Sequence, residues 1–390
     1  MISVSDALEH LFTLATPLGT ETVALRQAAG RWLSAPVEAR RSQPPFDASA
    51  MDGYAVKAAE VERDAQFKII GEAAAGHGFS GSVKPGQAVR IFTGAPMPAG
   101  ADCVVIQEDV RRSGDLIAIN ADTISAGHVR PAGGDFREGM SFAPDRALTP
   151  SDIALLAAMN HDRVEVWRRP VVAIIATGDE LVQPGETPGP DQIIASNSYG
   201  LAAMVEAQGG VARLLPIARD NRESLATVFG LARGADLVVT IGGASVGDHD
   251  LVGQVAAELG MEQSFYKIAM RPGKPLMAGR LAGTPMLGLP GNPVSAMVCG
   301  HIFMSPMLRV MQGQPVQPVP RQRARLIHAL GSNGPREHYM RARVTSGRID
   351  VFDNQDSALL NVLTQANALA IRPPHDGARA TGDEIEFTLL

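Results

Sequence analysis

With 390 residues, 45% of them hydrophobic and 19% charged, the chain is globular and too long for a single ordinary core. A formal net charge of −6 excludes a nucleic-acid binder driven by bulk electrostatics and leaves only a local basic cleft open. Two cysteines, Cys103 and Cys299, make neither a CxxC pair nor a disulfide framework, which fits a reducing cytoplasm, and no secretory signal opens the chain.

In chain order, Ser3 to Asp6 reads as a cap for an amphipathic helix carrying Ala7, Leu8, Leu11, Phe12 and Leu14, whose apolar face must pack on something distant. A strand over 21–25 and a short helix over 26–33 follow, and Ser42-Gln-Pro-Pro-Phe46 reads as a crossing into another domain. From Ser49 to about Asp135 short strands at 67–70, 88–93, 103–107 and 116–119 lie between Gly/Pro turns, a β-rich module. Its Gly76 to Gly81 has the spacing of a dinucleotide fingerprint, but Ser-Val-Lys-Pro-Gly follows where a helix is needed, so that reading is rejected. Pro150-Ser-Asp152 caps a helix to Met159, and a strand over 164–167 leads onward. These elements divide the first part into a discontinuous domain of 1–48 and 136–168 around an inserted β-rich domain of 49–135.

An α/β domain of 169–313 follows, with apolar strands at 171–176, 211–217 and 237–241 alternating with helices at 199–208 and 224–233. Such alternation predicts a parallel, doubly wound sheet, which binds ligands at the carboxyl ends of its strands. Three loops are expected there. The first runs from Gly242-Gly243 through Ser245, Gly247, Asp248 and Asp250, with Asp250 capping a helix over 251–259. The second is Arg271-Pro-Gly-Lys274-Pro275, and the third Gly288-Leu-Pro-Gly-Asn-Pro-Val-Ser295. Any one alone reads as turn punctuation. Three in series, with Ser, Asp, Arg and Lys inside them, suit an oxyanion, because glycines let N–H groups approach it and prolines preset the loop. Acidic residues also recur after the strands, at Asp179, Glu180, Asp220, Asp248 and Asp250, where they either cap helices or hold a hard cation.

The uncharged run from Leu281 to Leu308 has the length of a membrane helix, but its prolines, Pro306 included, predict strand, loop and helix instead. A proline linker at 314–320 precedes a C-terminal domain of 320–390, with strands at 324–328, 338–344, 348–352, 368–371 and 384–389, a small barrel-like β domain. Walker-type phosphate loops are absent from the sequence, which argues against a nucleotide kinase or ATPase.

Six segments in series, Met51-Asp-Gly-Tyr-Ala55, Thr93-Gly-Ala-Pro96, Thr177-Gly-Asp-Glu-Leu181, Gly242-Gly-Ala-Ser-Val-Gly247, Pro272-Gly-Lys-Pro275 and Gly288 to Ala296, resemble the signatures of the MoeA family of molybdopterin molybdenumtransferases, to which the C-terminal domain of gephyrin also belongs. The resemblance implies an elongated cytoplasmic homodimer of four-domain subunits. It implies adenylylated molybdopterin and molybdate as substrates, insertion of molybdate at the dithiolene, and release of AMP with a divalent metal, normally Mg2+. A molybdopterin adenylyltransferase and molybdenum enzymes become candidate partners. Tungstate insertion and a non-catalytic scaffold stay open as alternatives.

Carried over by residue, Asp52, Thr93, Asp135, Glu180, Asp220 and Asp250 match the family's important polar positions, with Glu180 and Asp250 as metal ligands. Ser245, Lys267, Arg271, Lys274, Pro275, Pro290, Pro293 and Ser295 match its substrate loops; members often carry Lys where Arg271 stands, so a planar fork replaces a point charge. Arg341 and Ser357 match an Arg and Ser linked to molybdate, with Arg343 on the same strand face as the competing candidate.

Overall fold

A computed structural model describes residues 1–120, 127–243 and 251–390. Two units emerge, one of Met1–Glu21 with Trp167–Leu390 and the other of Thr22–Val166.

In the larger unit, six strands run in the order Val211–Leu214, Val171–Ala176, Leu237–Ile241, Thr284–Leu289, Met277–Leu281, Met261–Tyr266. The first four are parallel and the last two are added antiparallel, so the sheet is mixed rather than wholly parallel. Met277–Leu281 forms a hairpin with Thr284–Leu289 and Met261–Tyr266 pairs antiparallel beside it, so neither added strand needs a crossover helix. Val172 and Ile174 face one side with helices Ser196–Ala207 and Pro293–Cys299, while Ala173 and Ile175 face the other with Arg222–Leu231 and Leu251–Glu258. Both faces are covered, which is why these strands read as unbroken apolar runs.

The helix Val4–Leu14 carries the capping box read from Ser3 and Asp6, with Ser3 Oγ accepting from the Asp6 N–H at 3.0 Å. It belongs to the larger unit, whereas the sequence reading grouped 1–48 with 136–168. Val4, Ala7, Leu8, Leu11 and Leu14 join the α/β core against strands Met261–Tyr266 and Met277–Leu281 and the helical segment Ser305–Met311, because the antiparallel edge offers an apolar surface that the helix stripe matches. The apolar face that called for a distant partner is covered by its own chain.

Residues Pro293–Met311 form one apolar helical run, the only described helix long enough to cross a membrane, and 83% of that window is buried in the core. Pro306 does not break it. A π turn at Gly300–Met304 loosens the ladder just ahead of the proline, and Ser305 Oγ donates to the Gly300 carbonyl at 3.4 Å.

The C-terminal strands close into a five-stranded barrel, in which Glu337–Thr345 pairs with both Arg348–Val351 and Ala368–Arg372, and Gln322–Leu326 and Glu384–Leu389 complete the ring. Met270–Arg271 adds to it as a parallel partner of Glu337–His338, so the strand leading into the Arg271–Pro275 loop is hydrogen-bonded to the barrel.

In the smaller unit, Val23, Leu25, Ala28, Ala39, Phe136, Leu148, Leu156, Met159, Val164 and Val166 share one core. The helix Pro150–Ala158 is capped by Thr149, one residue ahead of the expected cap; Asp152 is the reciprocal partner at its third position. The expected helix over 26–33 is only the short turn Leu25–Gln27. A six-stranded sheet of Cys103–Ile106, Gly53–Val56, Gln87–Ile91, Gln66–Ala73, Leu116–Ile119 and Val110–Ser113 carries two further clusters.

Candidate active site

Where the parallel strands end, Thr177-Gly178, Gly242-Gly243 and Pro290-Gly291 turn outward together, and a cleft of about 1480 Å³ opens beside them. That exceeds the roughly 300–1,000 Å³ of drug-sized pockets, so it suits a ligand larger than a simple metabolite. Glu180, Asp220, Arg271, Lys274, Pro275, Pro290, Pro293, Ser295 and Ser357 all line it.

Two helices begin in the cleft wall, at Ser196 and Pro293, and neither has a side-chain hydrogen bond at its cap. The first N–H groups of the helix at Ser196 therefore carry partial positive charge with no side chain satisfying it, whereas at the other helix Pro293 has no N–H and the Val294 N–H is taken by the Ser357 carbonyl at 3.0 Å. Asn197 Nδ2 donates to the Gly291 carbonyl at 2.7 Å and fixes the loop ahead of the second helix against the first. Arg271 and Lys274 are exposed on the loop opposite, held between strand Met270–Arg271 and the buried Gly273. Arg336 adds a third cation at the entry to the barrel strand, donating to the Met270 carbonyl at 3.3 Å. Buried His338 registers this charge: burial first, then Arg271, Arg336, Arg341 and Arg372, push it down to about 4 and keep it neutral near pH 7.

Acidic groups line the cleft as well, with Asp353 and Asp356 on the barrel segment and Glu180 and Asp220 beyond the parallel strands. Glu180 and Asp220 are both exposed, and Asp179 Oδ1 accepts from the Asp220 N–H at 3.2 Å. Gly178 has φ +145, and a Cβ there would run into the Glu180 carboxylate, so glycine leaves the space in which that carboxylate lies over the loop. Carboxylate oxygens are the donors a hard divalent cation takes, but among the described residues no three acidic or metal-ligating side chains converge on one point. Ser245 and Asp250 fall in 244–250, outside the described residues.

Lys267 does not line the cleft; its ammonium lies 4.8 Å from the centroid of the Tyr266 ring. Arg341 is 2% exposed and also off the wall. Its Nη1 donates to the Asp356 carbonyl at 2.6 Å, its Nη2 to the Asn354 carbonyl at 3.2 Å and its Nε to Gln355 Oε1 at 3.2 Å. Arg343, the competing residue, is exposed and donates to the Gln365 carbonyl at 2.8 Å.

Asp52, Thr93 and Asp135 belong to the smaller unit. Asp52 Oδ1 accepts from both the Thr93 N–H and hydroxyl at 2.8 Å, which joins two of the sequence signatures. Those bonds, the backbone one foremost, hold its carboxyl below the usual carboxylate range, and Arg90 adds to the effect. The Arg90 guanidinium lies 5.0 and 4.7 Å from the Tyr54 and Phe92 ring centroids and donates to Gly53 O and Gln107 Oε1. Asp135 is exposed, its N–H bonded to the Gln43 carbonyl at 2.9 Å.

Residues 2–160 match the MoeA N-terminal region (domain I and II), 173–310 a probable molybdopterin binding domain, and 323–390 the MoeA C-terminal region (domain IV). A protein named molybdopterin molybdenumtransferase from Nostoc sp. strain PCC 7120 is 36% identical, with 99% of this chain and 93% of that protein covered. The chain belongs to the MoeA family. Another relative, molybdopterin molybdenumtransferase 2 of Mycobacterium tuberculosis, is 34% identical with 94% of both chains covered. The crystal structure of a MoeA protein of molybdopterin biosynthesis from Pyrococcus horikoshii superposes with a TM-score of 0.85 at 30% identity, covering 100% of this chain and 99% of that one. The MoeA architecture thus extends over the whole chain. Arg336, Gln355 and Asn292 are cleft residues that the sequence reading missed; Asn292 lay inside a quoted signature, and its position after Gly291 at a helix start was the available signal.

Proposed function

We propose that this chain is a molybdopterin molybdenumtransferase, inserting molybdate into the dithiolene of adenylylated molybdopterin with release of AMP. The observation that carries the proposal is one cleft in which cations, the uncapped start of the Ser196 helix and carboxylates face a common volume. Molybdate is a tetrahedral dianion, and Arg271, Lys274, Arg336, the Ser357 hydroxyl and helix N–H groups are donors suited to it. Glu180, with Asp250, would hold magnesium, which when bound neutralises charge on the phosphoanhydride. The chain's own part is to bind the adenylylated pterin across the cleft and orient the oxyanion against it.

The reading extends to a cytoplasmic homodimer in which Asp52, Thr93 and Asp135 serve the same reaction. Two buried free thiols, Cys103 and Cys299, are compatible with a reducing compartment. The test supplies purified protein with adenylylated molybdopterin, molybdate and magnesium and measures AMP and active cofactor. Tight pterin binding without AMP release would favour the scaffold alternative, and tungstate replacing molybdate at lower concentration would shift the oxyanion.

A further inference from the structure

The barrel contributes one irregular segment to the cleft, residues 353–358, with Asp353, Gln355, Asp356 and Ser357 on the wall. A loop without regular structure needs its backbone groups tied elsewhere if it is to keep one shape. Here the ties come from behind. The Gln355 carboxamide accepts at Oε1 from the Arg341 N–H at 2.9 Å and from Arg341 Nε at 3.2 Å, and donates from Nε2 to the Arg341 carbonyl at 3.0 Å and the Phe352 carbonyl at 2.7 Å. Four bonds fill the carboxamide's capacity. Toward Arg341 the amide copies the reciprocal N–H and C=O exchange of a strand neighbour, so a side chain extends the barrel ladder where the backbone leaves it.

Arg341 belongs to the same frame. Its guanidinium, enclosed at 2% exposure, is bound to the Asn354 and Asp356 carbonyls and to Gln355. From the front, Asn292 Nδ2 donates to Ser357 Oγ at 3.2 Å, and the Val294 N–H donates to the Ser357 carbonyl at 3.0 Å. A hydroxyl that accepts from Asn292 keeps its own proton to donate.

We propose that Gln355 is a positioning residue of the oxyanion subsite: it locks Arg341 and the 353–358 loop so that the Ser357 hydroxyl is presented to the bound oxyanion. This rests on the reading of the cleft given above. Arg341 acts through the loop it frames, and Ser357 makes the contact.

Gln355→Ala, Gln355→Glu, Ser357→Ala and the Gln355→Ala/Ser357→Ala double variant are compared in the full chain. Sodium molybdate is titrated at saturating adenylylated pterin, and amide hydrogen exchange is followed over 352–358 and at Val294 in ligand-free protein. Gln355→Ala should raise the half-maximal molybdate concentration about tenfold and speed loop exchange, because a frame of four bonds is lost. Ser357→Ala should raise the molybdate requirement similarly with exchange unchanged. Gln355→Glu keeps the acceptor for Arg341 and loses two donations, so it should fall between wild type and Gln355→Ala. The double variant should be no worse than the worse single, since both act on one contact. Multiplying effects in the double variant, or wild-type exchange in Gln355→Ala, would overturn the proposal. A wild-type protein indifferent to molybdate would sink the cleft reading and the proposal together, an outcome distinct from a normal wild type with an unaffected Gln355→Ala.

Discussion

Replacing Gly273 by alanine should damage oxyanion binding through a loop that the new methyl does not leave room for. Gly273 has φ +110, and a Cβ built on it would run into the Sγ of Cys299 on the helix beneath. Holding an L-residue in so sparse a backbone region costs about 1–3 kcal/mol. Pushing a methyl into a fully buried thiol adds about 1–3 kcal/mol of overpacking. Together they amount to roughly 2–6 kcal/mol against a total stability of about 5–15 kcal/mol. The exposed Arg271 and Lys274 loop is easier to displace than a helix in the core, so the loop should shift first. Denaturant unfolding and molybdate titration of Gly273→Ala, Cys299→Ala and the double variant would separate the two costs. Cys299→Ala should restore the overpacking part in the double variant and leave the backbone part. Wild-type stability and molybdate requirement in Gly273→Ala would refute the reasoning, and a double variant no better than Gly273→Ala would remove Cys299 from it.

Arg336→Ala should raise the half-maximal molybdate concentration about ten- to a hundredfold, the value of one charge-assisted donor, with Arg336→Lys intermediate; an unchanged requirement would take Arg336 out of the site. Asp52→Ala should leave the fold intact and lose turnover, checked by circular dichroism and AMP release. His338 is neutral in the fold down to about pH 4 but protonates in the unfolded chain near its usual value of about 6.5. Stability from this residue should therefore be full above about pH 6.5 and fall by a few kcal/mol as pH drops toward 4, and His338→Gln should flatten that part of the pH–stability curve. Sedimentation should find a dimer, and a fully active monomer would count against the proposed assembly.

Strands Val171–Ala176 and Leu237–Ile241 were legible to the residue because buried parallel strands are unbroken apolar runs ending at glycine. Met277–Leu281 was not, since an antiparallel strand with Gly279 in its middle has neither alternation nor a continuous run. The stripe of Val4–Leu14 announced that it is buried but carried no address, and the address proved to be strands Met261–Tyr266 and Met277–Leu281 with helix Ser305–Met311. In the cleft, residues within sequence signatures, such as Glu180 and Lys274, could be named in advance. Gln355 and Arg336 could not, because their importance comes from what the barrel closure places beside them. Alternation in 339–343 put Arg341 and Arg343 on one strand face, but only the closed ring distinguishes the enclosed residue from the exposed one.

The packing of the first helix against strands Met261–Tyr266 and Met277–Leu281 has a consequence for synthesis. At roughly 5–20 residues per second, a ribosome takes on the order of 13–50 seconds to reach the helix's partners after making it. During that interval its apolar stripe has no native surface to cover. The same delay applies to the cleft, since Met270–Arg271 waits for Glu337–His338 and the wall at 353–358 waits for the last strands of the ring. A ribosome stalled before residue 337 would therefore hold an α/β sheet whose first helix is already covered but whose Arg271–Pro275 loop is still unpaired.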